Sequence, residues 1–343
     1  MTRELTLAII YGGRGAEHDI SRRSAEYLIS LAEKKRGIRL LRVLIDRAGE
    51  WFIEDGANRR PTYPVRLLGR SGLFLDGKII AVDAALPVLH GDFGEDGSVQ
   101  GALECAGITY AGSGVFGSAA ALDKCHTKIV AERLGIPTVE WVEVHTEGDA
   151  TRLGSAVSEA EEKIGYPMFV KPICLGSSIG AAVVRRRSEL RSAIATAATL
   201  GDGRALVERL VEDKRELECA LIVKGGELLV SHPAEVLSHG FYSFTGKYSE
   251  NTPVELRIFA DVNSECAGRL AAYSRELFFA LSLRDLARID FFLSGDGIYL
   301  NEVNTMPGFT GGSLYPRLID SLGISPEEQL DILIGAALSR AGS

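Results

Sequence analysis

Three shortages bound what this chain of 343 residues can be: cysteine, long apolar runs and positive charge. Its five cysteines, Cys105, Cys125, Cys174, Cys219 and Cys266, are odd in number, lie far apart and form no CxxC pair. Neither a zinc site nor a disulfide framework is suggested, and reduced thiols in a cytoplasmic protein are expected. No stretch approaches the ~18 apolar residues of a membrane span. The apolar run in MTRELTLAIIYGG is too short for a signal segment and reads as a buried first strand. Lys and Arg number 38 against 46 Asp and Glu, a net charge of −8. That balance argues against nucleic acid or an anionic membrane as a partner, and leaves room for a small anion held by local Lys and Arg. Internal repeats and low-complexity tracts are absent, which sets aside solenoids and disordered tails.

What is present is a globular composition, 46% hydrophobic and 24% charged, in a chain long enough for two or three domains. LTLAIIY, a helix over about 20–35, LLRVLID and AVDAALPVLH alternate strand and helix, which predicts a parallel sheet with flanking helices. VQGALECAG reads as a helix closed by Gly107, and two helical stretches surround LDKCHTK. A second unit begins near His145 with strand YPMFVKP, loop ICLGSSIG, strand AAVV and a helix over about 188–198. ELECALIVKGGELLVS predicts a hairpin around Gly225-Gly226. The polar segment 238–252 is too long for a hairpin turn, and loops of that length are usually functional or mobile. Helices over about 264–281 and 326–339 flank a last hairpin.

That last hairpin, ARIDFFLSGDGIYLNEVNTMPG, carries Asp290, Glu302 and Asn304 inside its apolar runs. Strand alternation puts Arg288 and Asp290 on one face, and Glu302 and Asn304 likewise. A three-residue loop, Gly295-Asp296-Gly297, would set Ser294 opposite Ile298, Asp290 opposite Glu302, and Arg288 opposite Asn304. Facing carboxylates repel unless a cation neutralises them or water covers them. Oxygen ligands without His or Cys favour Mg²⁺; a solvated strand face is the plain alternative. VKPICLGSSIG, residues 170–180, suits a loop whose backbone N–H groups and hydroxyls close over phosphate, although it is no Walker A loop and a plain turn explains it equally. YGGRGAEHDIS, residues 11–21, leaves the first strand at its carboxyl end, where α/β sheets bind ligands. Its spacing is not GxGxxG, and Glu17 doubles as an ordinary helix-start acid.

Together these stretches resemble the D-alanine–D-alanine ligase family of the ATP-grasp superfamily over nearly the whole chain. The motifs, in order, are GGRGAEHDIS, PVLHGDFGEDGSVQG, LDKCHTK, VKPICLGSSIG, KY at 247–248, ARIDFF and NEVNTMPGFTGGSLYP. The resemblance implies an α/β (α+β) ATP-grasp fold in three domains: an N-terminal α/β domain (1–114), a central one (115–211) and a C-terminal one (212–343) carrying a substrate lid at 238–252. It implies ATP and Mg²⁺ or Mn²⁺, two ions, as cofactors. Lys124, Lys171 and the lid's Lys247 correspond to phosphate-contacting lysines, Glu208, Arg209 and Leu210 to the strand beside adenine, and Glu216 to the ribose acid. Asp290, Glu302 and Asn304 correspond to metal ligands. Glu17 matches the acid for the first D-alanine's ammonium, with His90 near that substrate. Ser177 and Tyr248 match the residues that join Glu17 in a hydrogen-bonded group. Arg288 and the Gly308 N–H correspond to the oxyanion hole, and Ser313 with Leu314 to the binder of the second carboxylate. Homodimers are usual in the family, although no dimer signature stands in the sequence.

The implied reaction ligates two D-alanines through an acyl phosphate, for peptidoglycan. Relatives that use D-serine, D-lactate or another small acceptor form the alternative; Tyr248 favours an amine nucleophile. A non-catalytic nucleotide-binding module is the reading from another class, and an intact Arg288 speaks against it. Four departures stand out: Ile173-Cys174 after Lys-Pro, FYSFTGKYS in the lid, one extra residue between Glu208 and Glu216, and Gly311-Gly312 before Ser313.

Overall fold

The computed structural model describes residues 4–146, 150–237, 255–295 and 297–340. The expected lid at 238–252, with Lys247 and Tyr248, lies outside the described residues.

Three sheets follow one another along the chain. The first holds β1 (Leu5–Gly12), β2 (Ile38–Ile45), β3 (Trp51–Asp55), β4 (Asn58–Leu67), β5 (Arg70–Leu75), β6 (Lys78–Ile80) and β7 (Ala84–Pro87), in the order β6-β5-β4-β3-β2-β1-β7. Parallel pairing, expected throughout, is confined to β2-β1-β7; the other strands form an antiparallel meander. The Asp55-Gly56 and Asp76-Gly77 turns were the signal for that meander, since Asp-Gly favours tight hairpins. β1 is buried on both faces, as the centre of a parallel sheet must be. Leu7 and Ile9 enter one core with α1 (His18–Ala32), whereas Ala8 and Ile10 enter another, shared with Val99 and Leu103 of α2 (Ser98–Ala106).

The second sheet is antiparallel: β8 (Trp141–His145), β9 (Met168–Pro172), β10 (Ala182–Val184) and β11 (Arg204–Arg209), in the order β10-β9-β11-β8. α5 (Ala150–Lys163), which the sequence reading passed over, and α6 (Arg187–Leu200) supply its core with Ala160, Leu190 and Ile194. α3 (Val115–Leu122) and α4 (Lys124–Arg133) precede this sheet in the chain, yet Ala120, Ala121 and Ala131 pack into the core of the third sheet. Asp123 starts α4 by accepting the His126 N–H at 2.8 Å.

The third sheet, also antiparallel, contains β12 (Arg215–Lys224), β13 (Glu227–Val230), β14 (Ala234–Leu237), β15 (Glu255–Arg257), β16 (Leu286–Ser294) and β17 (Gly297–Asn304). β12 and β16 lie at its centre, and β17 is H-bonded beyond β16. Leu217, Cys219, Ile289, Phe291, Leu300 and Val303 point into a core closed by α7 (Ser264–Ala280). The opposite face is the one that carries charge. α8 (Leu314–Asp320) and α9 (Pro326–Ser339) return to the first sheet, where Leu318, Leu330 and Ile334 share the core of Leu7 and Ile9. The N-terminal sheet and the β17 loop are thereby held together by one apolar cluster.

Candidate active site

On the charged face of the third sheet, register decides which side chains meet. Asp290 pairs with Glu302 and Arg288 with Asn304, as expected. The expected loop is corrected: Ser294 pairs with Gly297, so two residues, not three, turn the hairpin. That one-residue slip would aim Glu302 at the core, because side chains alternate. A bulge beyond the Phe291–Leu300 pair reverses the slip by inserting Asn301. Asn301, Glu302 and Asn304 therefore share the site face with Asp290. Arg288 forks onto Asp290, Nε to Oδ1 at 2.8 Å and Nη2 to Oδ2 at 2.7 Å, and Nε lies 2.9 Å from Glu218. Burial alone would lower the Arg288 pKa, but Asp290 and Glu218 outweigh it and keep the guanidinium firmly charged. Glu218 pairs in register with Asp290, so its place was legible once β12 had been set beside β16.

The donor set fits a hard cation. Two opposed carboxylates and the Asn304 amide offer oxygen ligands, as Mg²⁺ prefers when phosphate completes its shell. Among the described residues no three acidic, His or Cys groups cluster to hold a metal. Asn304 Nδ2 donates to Asp290 Oδ2 at 3.1 Å, which steadies both.

Glu17 stands at the N-cap of α1 without capping it. Its carboxylate instead accepts the Ser177 hydroxyl at 2.5 Å, 160 residues away in sequence. The dipole reading of Glu17 is thus insufficient: the acid reaches across to the loop after β9. Gly91, at φ +65°, leaves room for it, since a Cβ there would lie 2.6 Å from Glu17 Oε2. Ser177 and Ser178 adopt φ of +55° and +58°, an uncommon backbone for serine.

Lys171 approaches from β9 of the second sheet, and Lys124 from the start of α4. Lys124 Nζ donates to the Leu175 carbonyl at 2.7 Å and lies 3.7 Å from Glu302. Lys171 Nζ meets Glu208 Oε2 at 2.8 Å and donates to Asn301 Oδ1 at 3.3 Å. The Glu208 carboxylate is buried and also pairs with Lys128, whose Nζ lies 2.6 Å from Oε1. Burial by itself would raise the Glu208 pKa; the two lysines outweigh it and hold the group down to about 2. Arg209 turns outward to Glu140 at 2.5 Å, the Leu210 N–H bonds the Pro167 carbonyl at 3.1 Å, and Glu216 pairs with Lys214 at 3.0 Å. Ile173, an unusual residue after Lys-Pro, is buried with Cys125 and Leu206.

The last group ties the first sheet to the loop after β17. His90, buried, places Nδ1 2.8 Å from the Met306 carbonyl, so that nitrogen donates. Its Nε2 lies 3.1 Å from Ser24 Oγ, and Ser24 Oγ accepts the Phe309 N–H at 3.2 Å. Glu95, from the GDFGEDGS loop, accepts Thr305 N–H at 3.0 Å, Met306 N–H at 2.8 Å and Gly91 N–H at 3.0 Å. These bonds bracket Gly308. Ser313 directs Oγ to Thr310, accepting its N–H at 3.0 Å, and precedes α8, whose first residue Leu314 is buried. Glu95, Ser24, Lys128 and Asn301 had no assigned role in the sequence. An acid in a glycine-rich loop reads as solvated, and only contacts 210 residues apart reveal otherwise.

Known proteins resemble this chain in sequence and fold. The D-ala D-ala ligase N-terminus family model matches residues 6–113, and the D-ala D-ala ligase C-terminus model matches 130–335. A D-alanine--D-alanine ligase of Bradyrhizobium sp. (strain ORS 278) is 38% identical over 99% of this chain and 97% of its own. One from Treponema pallidum is 35% identical over 97% and 88%. Among solved structures, D-alanyl-alanine synthetase A from Vibrio cholerae superposes with a TM-score of 0.88 at 32% identity, covering 99% of this chain and 100% of that one. The VanG D-Ala:D-Ser ligase from Enterococcus faecalis gives 0.86 at 31% identity, covering 98% and 100%. Full-length similarity of sequence and fold, joined to a charged sheet face of the expected composition, places this chain in the D-alanine–D-alanine ligase family.

Proposed function

We propose that the protein joins two D-alanines into D-alanyl-D-alanine while ATP becomes ADP and phosphate, supplying a peptidoglycan precursor. The observation that carries this reading is the half-buried, charged Arg288 fixed beside Asp290 and Glu302. A module that only binds nucleotide needs no oxyanion hole, the role this reading gives to that guanidinium.

In this reading Glu17 takes the ammonium of the first D-alanine, in reach of Ser177, and His90 braces that side of the site. ATP supplies the activation that turns a poor electrophile into an acyl phosphate. Lys124 and Lys171 meet phosphate charge, with Lys247 as a third; Glu208, Arg209 and Leu210 border the adenine and Glu216 the ribose. Asp290, Glu302 and Asn304 would hold Mg²⁺ or Mn²⁺, two ions, which neutralise charge on the transferring group. When the second amine attacks, Arg288 and the Gly308 N–H stabilise the oxyanion. Ser313 and the start of α8 receive the second carboxylate. Tyr248 completes the Glu17–Ser177 group. The 238–252 segment serves as the lid that excludes water from the acyl phosphate.

We place the protein in the cytoplasm as a homodimer of three-unit chains, 1–114, 115–211 and 212–343; among the described residues no helix is long and apolar enough to cross a membrane. Likeness to a D-Ala:D-Ser ligase keeps a second acceptor worth testing. Phosphate release is measured with D-alanine alone, then with D-serine or D-lactate added. D-Alanine alone is expected to sustain the full rate; a marked preference for another acceptor replaces the second substrate, and no D-alanine-dependent hydrolysis rejects the ligase.

A further inference from the structure

Lys128 is the most deeply buried cation of the described residues that belongs to no expected site. Its side chain is 0% exposed, and Glu208 Oε1 is 2.6 Å from its Nζ. Neither atom makes an aligned hydrogen bond, so the contact is an ion pair held by charge. The other Glu208 oxygen takes Lys171 at 2.8 Å, and Lys171 Nζ also reaches Asn301 on the β17 bulge at 3.3 Å. Two ammonium groups thus share one carboxylate, with Lys171 on the side of the site and Lys128 behind it.

We propose that Lys128 is a positioning residue for the nucleotide: it offsets Glu208 so that Lys171 presents net positive charge to phosphate. This rests on the phosphate role proposed for Lys171. Without Lys128, Glu208 and Lys171 would form a neutral buried pair, and a phosphate would have to compete with Glu208 for the same ammonium. With Lys128 the group of three carries one net positive charge. Glu208 can then fix the Lys171 ammonium against β11 and Asn301 without cancelling it. A buried lysine is costly to desolvate, so a residue that serves only packing would be better replaced by an apolar one. The function of the charge lies in what it does to its neighbours.

The test is ADP binding with Mg²⁺, measured calorimetrically on the full chain without D-alanine. Lys128→Met keeps the bulk and removes the charge; it is expected to weaken ADP binding about tenfold or more, the scale of one charge over several ångströms in protein. Lys128→Arg keeps the charge behind Glu208 and is expected to bind ADP within threefold of the unaltered protein. A purely structural role predicts that the bulkier arginine binds ADP at least as weakly as the methionine variant. Unchanged binding in Lys128→Met, or Lys128→Arg as weak as Lys128→Met, overturns the proposal. Should Lys128→Met fail to fold because Glu208 is stranded, Lys128→Arg decides alone, a tenfold loss counting against. Failure of the unaltered protein to bind ADP would reject the nucleotide role itself, a separate result.

Discussion

Glu95→Gln is the perturbation that best separates anchoring of the catalytic loop from nucleotide binding. Glu95 Oε1 accepts three donors, Thr305 N at 3.0 Å, Thr305 Oγ1 at 3.2 Å and Met306 N at 2.8 Å, while Oε2 accepts Gly91 N at 3.0 Å. All four contacts are donors, so the group acts solely as an acceptor, although burial raises its pKa. A glutamine must aim its NH₂ at one set. Turned toward Gly91, it strands that N–H at about 2 kcal/mol. The remaining bonds lose their charge assistance, roughly half their strength, for another ~2 kcal/mol. About 4 kcal/mol is a large share of the stability of an ordinary domain, roughly 5–15 kcal/mol. The cheapest relaxation is movement of the 305–309 segment, which carries Gly308. A displacement near 1 Å costs about a hundredfold in rate. The expected result is kcat down about a hundredfold with KM for ATP nearly unchanged, because Lys124 and Lys171 are carried by α4 and β9 rather than by the 305–309 segment. Steady-state kinetics with each substrate varied, beside a melting curve, provides the readout. A lower melting temperature with kcat within threefold of the unaltered enzyme would refute the link between Glu95 and the oxyanion hole proposed at Gly308.

Three further outcomes follow from the same geometry. Glu302→Gln should lower kcat by orders of magnitude with the fold kept, since the amide keeps the size and shape of the acid and the 3.7 Å contact with Lys124 is loose; circular dichroism and turnover check this together. Deleting Asn301 should leave a regular hairpin that still opposes Asp290 and Glu302, losing chiefly the Lys171 anchor. The expectation is a folded protein with a several-fold higher KM for ATP; loss of Mg²⁺-dependent turnover would show that the bulge sets metal geometry as well. Glu208 titrates near 2 rather than its ordinary 4.5, so its stabilising contribution is complete above about 4.5 and lost as pH falls through about 2. That difference amounts to about 3 kcal/mol. Acid unfolding of Lys128→Met/Glu208→Gln should lack this slope between pH 4.5 and 2; an unchanged slope would assign the acid sensitivity elsewhere.

How legible was all this in the residues? Strand alternation placed Asp290, Arg288, Glu302 and Asn304 on one face, and it named the right opposing pairs by way of the wrong turn. The loop is one residue shorter than expected and Asn301 is one residue extra; the two errors cancel at Glu302. Turn length and bulge position are set by packing of the hairpin against its neighbours, such as the Leu300 N–H on the Pro137 carbonyl at 2.9 Å, and no local pattern encodes that contact. The Asp-Gly turns that extend the first sheet were legible and were missed.

By itself the sequence determined the class of molecule, the order of its motifs and the chemistry of the charged hairpin. Local periodicity and motif spacing are properties of neighbouring residues, and they survive without coordinates. Tertiary structure alone decided that Glu17 meets Ser177 across 160 residues. It decided likewise that Glu95 holds the loop of Gly308 and that Lys128 stands behind Lys171. Burial turns each of these from a solvated charge into a paired one, and burial depends on elements far apart in the chain folding onto one another.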